Sequence, residues 1–393
     1  MRSSETIEAA ARRLQAIAPV DPGADEAAAK LAAAAARLTR DEALIDALVR
    51  STGLSAPMVR WGLRTTLESV RAEVLLEVRR RAGLVFFGQL NRTRLCTVVL
   101  AGNVFTACIK AVLVPLLLEV PVLVRPSSRD GVLVRALAAA LEEPFGAALS
   151  VVDFHRNDPQ AWVAFFRHAD VAHVFGSDET LRTLRSKVPA QTRFVGHGHG
   201  LGVAAVFPTP GTDLEPLAER LALDVAAYDQ RGCLSPQRVY VVGDRSDAST
   251  LAEALHAALG AIEEPLPRGP IGHGERVACA SWRATVAALG ELYEGATHAV
   301  ALIDGPAPAG PGYRHVTVRP LPTVAALRDA LAPLGDHLKA LGWGPDEAQA
   351  SVSEALPPGV APYVAALGEM QTPAFDVPWD GMPLTEGLLR FVG

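Results

Sequence analysis

Hydrophobic positions along the chain follow two different patterns, and the change between them divides the sequence. Residues 1–90 are built largely from Ala, Leu, Glu and Arg, which are strong helix formers, so this part is predicted to be a layer of helices. From residue 94 onward, short apolar runs rich in Val and Leu alternate with longer helix-like segments. Such alternation is typical of βαβ units, whose strands pair in parallel. The pattern therefore predicts an α/β protein.

The first predicted βαβ unit lies within residues 94–128. The run CTVVL predicts a buried strand, NVFTACIKAVLVPLLLE predicts a helix kinked at Pro115, and VPVLVRP predicts a second strand. In parallel sheets, ligands bind beyond the carboxyl ends of the strands. The residues that follow the two strands, Gly102-Asn103 and Arg125-Pro126-Ser127-Ser128, are therefore expected where ligands bind.

The alternation continues to the end of the chain. At Gly176-Ser177 a predicted strand enters a helix, and the free amides of a helix N-terminus suit a phosphate group. Two strand-like runs flank the loop HGHG at 197–200. The segment 213–230 predicts a helix that ends at Gly232. Its apolar stripe would consist of Leu214, Leu217, Leu221, Val225 and Tyr228.

Length, charge and composition exclude several classes of protein. A chain of 393 residues exceeds what one core usually supports, so two domains are expected, at 1–204 and 205–393. The net charge of -6 comes without a basic cluster, which argues against nucleic acid or an anionic membrane as the main partner. The stretch 111–124 is too short and too interrupted for a membrane span, and the chain start lacks a signal-peptide pattern. The expected location is the cytoplasm.

The four cysteines lie far apart without a CxxC pair, so neither a zinc site nor a disulfide framework is indicated. Cys96, Cys108 and Cys279 fall in apolar patterns typical of buried, inert thiols. Cys233 instead follows Gly232 in the polar stretch AAYDQRGCLSPQ, where the charge of Arg231 would favour the reactive thiolate. Cys233 is the candidate nucleophile, and the alternative is one more buried thiol.

The segment YDQRGCLSP resembles the active-site cysteine segment of LuxC-type acyl-CoA reductases, which supply fatty aldehyde in bacterial bioluminescence and form a branch of the aldehyde dehydrogenase superfamily. Further segments are similar and follow in the family order. They are VLAGNVF (99–105), VLVRPSSRD (122–130), VFGSDETLRTLR (174–185), RFVGHGHGL (193–201) and WDGMPL (379–384). The resemblance implies an aldehyde-dehydrogenase-like α/β fold of two α/β domains with parallel sheets. A Rossmann-like cofactor domain would precede a catalytic domain, with the site in the cleft between them.

The resemblance also implies roles for individual residues. Cys233 would be the nucleophile, and Asn103 matches the asparagine whose amide forms an oxyanion hole with the backbone N–H of the cysteine. The alternative for Asn103 is a helix cap. Arg125-Pro126-Ser127 stands where aldehyde dehydrogenases carry Lys-Pro-Ser at the adenosine ribose. An arginine there favours the 2′-phosphate of NADPH, with NADH as the other possibility. Gly176-Ser177 matches a step that approaches the cofactor pyrophosphate.

One position departs from the family that oxidises aldehydes. Those enzymes carry a glutamate, about 34 residues before the cysteine, that activates the water hydrolysing the acyl-enzyme. Here that count reaches His199, and residues 180–212 contain neither Asp nor Glu. His199 or His197 is therefore a candidate acid or base, unless HGHG is simply a tight glycine loop. Two histidines without a third ligand do not indicate a metal. Asp380 is either close to the active site or a turn residue.

These observations predict NAD(P)H-dependent reduction of an acyl thioester, carried by coenzyme A or by an acyl-carrier protein, to an aldehyde through an acyl group on Cys233. The alternatives are an acyltransferase that uses the same acyl-cysteine without a nicotinamide, and a non-catalytic partner that has kept the fold. The sequence leaves the oligomeric state open, between a single chain, a homo-oligomer and a place in a biosynthetic complex.

Overall fold

The computed structural model describes residues 3–17, 23–83, 91–127 and 131–390. Residues 84–90 of the predicted helical layer and residues 128–130 of the segment VLVRPSSRD lie outside the described residues. The helices are α1 (Ser4–Gln15), α2 (Ala24–Leu38), α3 (Glu42–Thr52), α4 (Ala56–Glu68), α5 (Ala72–Arg81), α6 (Cys108–Leu117), α7 (Val132–Ala140), α8 (Pro159–Phe166), α9 (Asp178–Arg185), α10 (Glu215–Ala226), α11 (Arg245–Ala261), α12 (His273–Ala287), α13 (Val324–Leu331) and α14 (Gln349–Ala355).

Strands follow the helical start, as the sequence pattern predicts. They are β1 (Asn91–Arg92), β2 (Cys96–Val99), β3 (Val122–Arg125), β4 (Leu149–Val151), β5 (Val171–Phe175), β6 (Arg193–His197), β7 (Leu201–Val206), β8 (Pro236–Val242), β9 (Glu291–Glu294), β10 (Ala299–Leu302), β11 (His315–Leu321), β12 (Leu338–Gly344), β13 (Tyr363–Ala366) and β14 (Leu389–Arg390).

The chain forms two compact units, each assembled from separate segments. The N-terminal unit combines Met1–Thr52, Arg60–His199 and Ala374–Gly393, and the C-terminal unit combines Gly53–Val59 with Gly200–Pro373. The end of the chain returns to the N-terminal unit, where β14 pairs with β1. The predicted domains, 1–204 and 205–393, are two continuous segments. Sequence periodicity does not reveal that the end of the chain folds back onto the N-terminal unit.

The N-terminal unit contains a five-stranded, all-parallel sheet in the order β4-β3-β2-β5-β6. The chain runs outward from β2 through β3 to β4 and then returns to place β5 beside β2. This reversal is a topological switch point, where open parallel sheets bind their ligands. The residues that follow β2 and β5 are Gly102-Asn103 and Gly176-Ser177, so both predicted segments flank the switch point.

A buried aromatic cluster of this unit includes side chains of helix α8. Trp162 stacks on Phe166 with ring centroids 5.6 Å apart and meets Phe154 edge-on at 4.8 Å. Ile7 and Leu14 of α1 belong to the same buried cluster. The helical start of the chain is therefore part of the core of this unit.

The most apolar stretch of the sequence divides between α6 and β3. Pro115 lies inside α6, and Glu119 turns the chain with a φ of 58°. The Glu119 carboxylate accepts a hydrogen bond from Arg79 Nη2 at 3.0 Å, and both side chains are buried. A charged residue is tolerated in this apolar run because it is paired. None of the described helices is both long and apolar enough to cross a lipid bilayer.

The C-terminal unit contains a seven-stranded sheet in the order β13-β12-β7-β8-β11-β10-β9, in which β9 alone is antiparallel. Helices α10 and α11 cover one face, and α13 and α14 contribute to a second buried cluster. The predicted apolar stripe of α10 is confirmed, since its members through Val225 lie in one core cluster.

The predicted end of that helix at Gly232 is wrong. Helix α10 stops at Ala226, and Tyr228 lies beyond it with a positive φ, although its side chain is buried. Local helix propensity cannot foresee this, because the residues after Ala226 are held by partners distant in sequence.

Asp224 near the end of α10 is a fully buried carboxylate with backbone partners. It accepts hydrogen bonds from Gly368 N at 2.6 Å and from Met370 N at 3.0 Å, which ties α10 to the turn after β13. Burial raises the pKa of Asp224 from 3.8 to about 7, against the opposing effect of these amides.

We expect Asp224 to make the stability of the protein depend on pH. The folded state holds this proton more tightly than the unfolded chain, so the free energy of unfolding falls as the pH rises from about 4 to about 7. The variant D224N removes this component, while D329N, at an exposed position of α13, leaves it in place. Urea unfolding across that pH range measures the effect, and parallel pH profiles for D224N and the unmodified protein would contradict it.

Candidate active site

Cys233 differs from the other cysteines in its exposure. Cys96, Cys108 and Cys279 are buried, whereas Cys233 is exposed between α10 and β8. Burial also raises the pKa of the Cys96 and Cys279 thiols, which keeps them protonated and unreactive. The geometry thus makes Cys233 the accessible thiol of the four.

The backbone immediately before Cys233 adopts a conformation that side chains disfavour. Tyr228, Asp229 and Gln230 have φ values of 52°, 53° and 60°, all in the left-handed region. Each such non-glycine residue costs ~1–3 kcal/mol, and it persists only where the surroundings over-determine it. All three side chains are buried, so tertiary contacts supply the compensation.

Asp229 is the most heavily bonded residue of this turn. Its Oδ1 accepts from Arg314 Nη2 at 3.1 Å and its Oδ2 from Gly269 N at 3.0 Å. The Asp229 and Arg314 side chains have no exposed surface, and Arg314 also donates to Glu263 at 2.9 Å. Burial raises the pKa of Asp229, and the Arg314 guanidinium opposes that shift. A Cβ at Gly269 would lie 2.0 Å from the carbonyl oxygen of Gly53, so only glycine brings its amide this close.

Gln230 fixes the other side of the turn through its side-chain amide. Its Nε2 donates to the carbonyl oxygens of Pro236 at 2.8 Å and His315 at 3.0 Å, and its Oε1 accepts from His315 N at 2.8 Å. The turn is thereby joined to the starts of β8 and β11. Together with Asp229, this holds the chain on the N-terminal side of Cys233 in one geometry.

Asn103 is exposed after β2 and precedes a short 3₁₀ turn, Phe105–Ala107, that leads into α6. It does not occupy the capping position of either element, because Val104 precedes the turn and Ala107 precedes α6. Asn103 belongs to the N-terminal unit and Cys233 to the C-terminal unit. A shared oxyanion hole stays a prediction.

Arg125, at the carboxyl end of β3, has a guanidinium enclosed by aromatic rings. It lies over the rings of Phe154 and Trp162, with 5.2 Å and 5.1 Å to their centroids. Nη2 donates to the Phe154 carbonyl oxygen at 3.4 Å, and the buried Nε has no protein partner. A positive charge is thus held at the strand end, followed by Pro126 and Ser127.

Gly176 and Ser177 lie where the sequence predicts a helix start. Ser177 caps α9, since its Oγ accepts from Thr180 N at 3.2 Å, and Gly176 N donates to the His197 carbonyl oxygen at 3.1 Å. A Cβ at Gly176 would lie 2.9 Å from Thr180 Cγ2, so a larger residue there would have to displace the Thr180 side chain.

The N-terminal unit fits a dinucleotide cofactor of the kind that the fold implies. The sheet reverses at a switch point between β2 and β5, and a glycine turn borders it. Arg125, at the end of the next strand β3, carries a buried Nε–H without a protein partner. Arg125, Pro126, Ser127, Gly176 and Ser177 remain the predicted contacts.

The two candidate histidines have different surroundings. His199 is exposed between β6 and β7. His197 is buried, with its Nδ1 2.9 Å from Asp380 Oδ2 and its Nε2 3.2 Å from His173 Nδ1. Sequence reasoning missed His173 and Arg314. A histidine inside the apolar run VAHVF was the available signal for the first, whereas nothing local distinguishes Arg314.

Solved structures establish the fold. The structure matches aldehyde dehydrogenase 21 from Physcomitrella patens with a TM-score of 0.78 and 15% identity, over 99% of this chain and 90% of that one. It matches the NADP-dependent glyceraldehyde-3-phosphate dehydrogenase of Bacillus halodurans C-125, solved with NADP, with a TM-score of 0.73 and 13% identity, over 99% and 90%. The predicted aldehyde-dehydrogenase-like fold is confirmed.

Sequence relatives match part of the chain. The long-chain acyl-protein thioester reductase of Aliivibrio fischeri is 26% identical over 186 residues, which cover 46% of this chain and 38% of that protein. The enzyme of the same name from Photorhabdus laumondii subsp. laumondii is 28% identical over 160 residues, which cover 39% and 33%. The chain thus spans about a third of the length of these curated relatives.

A family model described as acyl-CoA reductase (LuxC) matches residues 86–391. This range contains the cysteine turn, the switch point of the first sheet and the returning end of the chain. The chain belongs to the acyl-CoA reductase (LuxC) family.

Proposed function

We propose that this protein reduces an acyl thioester to an aldehyde through an acyl group held on Cys233, with NADPH as the preferred reductant. The observation that carries the proposal is the exposed Cys233 thiol on a turn of left-handed residues, in a chain of this family. The similarity to long-chain acyl-protein thioester reductases favours a thioester carried on a protein as the acyl donor, and membership of the acyl-CoA reductase family favours coenzyme A. Both share the chemistry of a thioester carbonyl.

In the proposed reaction, the Cys233 thiolate attacks the thioester carbonyl carbon and forms a tetrahedral oxyanion. The carbonyl re-forms as the C–S bond to the donor breaks, so the donor leaves as a thiolate and the acyl group remains on Cys233. Reduction of that carbonyl gives a thiohemiacetal, which releases aldehyde and regenerates the cysteine thiolate. Asn103 and the backbone N–H of Cys233 would stabilise the oxyanion, and loss of one such donor typically lowers the rate ~10²–10³-fold.

The fate of the acyl group follows from a missing carboxylate. With neither Asp nor Glu in residues 180–212, the chain has no acidic residue at the position that activates hydrolytic water in aldehyde-oxidising relatives. His199, exposed at that position, is the proposed acid or base. Slow hydrolysis would leave reduction as the productive route.

The cofactor would be held by the N-terminal unit. Arg125, Pro126 and Ser127 would contact the adenosine ribose, and Gly176 and Ser177 the pyrophosphate. When bound, NADPH supplies the hydride that reduces the acyl group. The end of β3 is where nucleotide-binding folds read the ribose 2′ position, so the charge of Arg125 would favour a 2′-phosphate.

Acylation is expected at Cys233 alone. Incubation with acyl-CoA or acyl-carrier protein should give a mass increase of one acyl group on the peptide containing Cys233, and C233A should abolish both the adduct and aldehyde formation. The control C279A removes a buried thiol of the same unit and should behave as the unmodified protein. Aldehyde should form only when NADPH is added, whereas an acyltransferase would turn over without it. Aldehyde formation by C233A at the rate of the unmodified protein would contradict the proposed function.

The cysteine turn is expected to depend on the charge of Asp229. The variant D229N leaves the Arg314 guanidinium without its fully buried partner, and breaking such a pair costs ~3–5 kcal/mol. We expect D229N to slow acylation of Cys233 at least about tenfold, equivalent to ~1.4 kcal/mol. The matched control E263Q removes the other carboxylate of Arg314, outside the turn, and should have a smaller effect on the rate. Single-turnover acylation monitored by mass spectrometry measures both, and equal rates in the two variants would contradict a role of the turn.

Cofactor preference is expected to depend on Arg125. The variant R125Q should weaken NADPH binding about tenfold, since a hydrogen bond to a charged group contributes ~1.5–3 kcal/mol, and should leave NADH binding unchanged. R135Q is the control, because Arg135 is also a cation near the first sheet but pairs with Asp153 at 2.8 Å. Titrations that follow nicotinamide fluorescence measure both affinities. An equal loss for NADH and NADPH would contradict recognition of the 2′-phosphate.

A further inference from the structure

Three titratable side chains that the proposed reaction does not use form a hydrogen-bonded chain in the N-terminal unit. His173 on β5 and His197 on β6 are each 6% exposed, and their Nδ1 and Nε2 atoms are 3.2 Å apart. The other ring nitrogen of His197 lies 2.9 Å from Asp380 Oδ2. The order is therefore carboxylate, imidazole, imidazole, which reaches from the returning end of the chain into the sheet.

Asp380 reaches His197 from a tight two-residue turn. Trp379 N donates to the Met382 carbonyl oxygen at 3.0 Å, and Met382 N donates to that of Trp379 at 2.7 Å. Between them, Asp380 and Gly381 have φ values of 52° and 72°. Positive φ at both central positions is the geometry of the type I′ turn, in which Asp-Gly is a preferred pair. The turn accounts for the backbone of Asp380, and the hydrogen bond to His197 gives its carboxylate a separate role.

The ring of His197 is held by aromatic neighbours as well as by hydrogen bonds. It stacks on Phe175 with ring centroids 4.2 Å apart and planes 8° apart, and Trp379 meets it at 5.2 Å. Burial lowers the pKa of His173 to about 3, so His173 is neutral near pH 7. A neutral His173 shares one proton with His197 across their contact, and the hydrogen bonds therefore fix both ring orientations.

The same histidine also contacts the predicted pyrophosphate turn. The His197 carbonyl oxygen accepts from Gly176 N at 3.1 Å, and its ring stacks on Phe175, the residue before Gly176. One residue thus contacts the turn through its backbone and through its side chain. A shift of the His197 ring would move Phe175 and, with it, the start of α9.

Packing alone would not require these polar groups. An apolar ring at either histidine position would fill the space without the cost of burying imidazoles. A chain of hydrogen bonds that continues into the buried sheet selects one arrangement of the rings more sharply than apolar contact does.

We propose that Asp380 and His173 are positioning residues that orient His197, and through it the turn Gly176-Ser177, to receive the pyrophosphate of a nicotinamide dinucleotide. This inference rests on the proposed function, because it assumes that the N-terminal unit binds such a cofactor. It assigns to the returning segment WDGMPL a part in cofactor binding and none in the chemistry at Cys233.

The test compares cofactor affinity with cysteine acylation. The variant D380A removes the acceptor of the His197 Nδ1–H and should weaken NADPH binding about tenfold, as expected for a hydrogen bond to a charged group. Acylation of Cys233 without NADPH should keep its rate. The conservative variant D380N, whose amide oxygen accepts the same hydrogen bond, should restore most of the affinity. The control D376N breaks the ion pair of Asp376 with Arg81 in the same returning segment and should bind NADPH normally.

Two further measurements keep the outcomes separate. A downfield imidazole N–H proton resonance should be present in the unmodified protein and absent in D380A. If D380A does not fold, the variant H173F serves as the test of cofactor affinity. It keeps an aromatic ring at position 173, removes the hydrogen-bond partner of His197 Nε2, and should also weaken NADPH binding. If D380A binds NADPH as tightly as the unmodified protein, the inference is overturned and the proposed function still stands. The same holds for H173F where D380A is unfolded. Absence of NADPH and NADH binding to the unmodified protein would instead overturn the proposed function.

Discussion

The buried ion pair between Asp229 and Arg314 is the interaction on which the candidate active site depends. Three consecutive left-handed residues precede Cys233, and a free chain would leave that conformation because each residue is strained. Asp229 lies in the middle of the three and is held by Arg314, by the Gly269 amide and by the backbone of Tyr313. With neither charged side chain exposed, water cannot substitute for the lost partner. The strain at the turn is therefore offset by electrostatics elsewhere in the same unit, which leaves Cys233 as an exposed thiol after a rigid segment.

The first sheet imposes a second constraint, which concerns where a ligand can bind. Parallel strands place their carboxyl ends at one edge, and the reversal between β2 and β5 opens that edge. Gly102-Asn103, Arg125 and Gly176-Ser177 all follow strands of this sheet. Their common location is a consequence of topology, and their separate chemistries, an amide, a guanidinium and a close glycine turn, suit the parts of a dinucleotide and a thioester.

Much of this organisation could be predicted from the sequence, and the failures have physical causes. Alternating apolar runs predicted β2, β3, β5 and the helices between them, because buried parallel strands and amphipathic helices have strong periodic signatures. The helix before Cys233 was predicted too long, since Tyr228 continues the apolar stripe of α10 while tertiary contacts impose a left-handed φ on it. The sequence predicted that His199 or His197 acts as the acid or base. It could not reveal that His197 is buried and lies beside Asp380.

The sequence by itself determined the elements, the α/β class, the family and the identity of the unusual cysteine, because these depend on composition and spacing along the chain. Only the tertiary structure decided which side chains meet. Arg314 reaches Asp229, and Asp380 reaches His197, across separations of 85 and 183 residues. No periodicity links positions so far apart, because their contact results from chain return and core packing. The segment WDGMPL lies in the N-terminal unit for the same reason, because its position depends on the path of the whole chain and not on its local sequence.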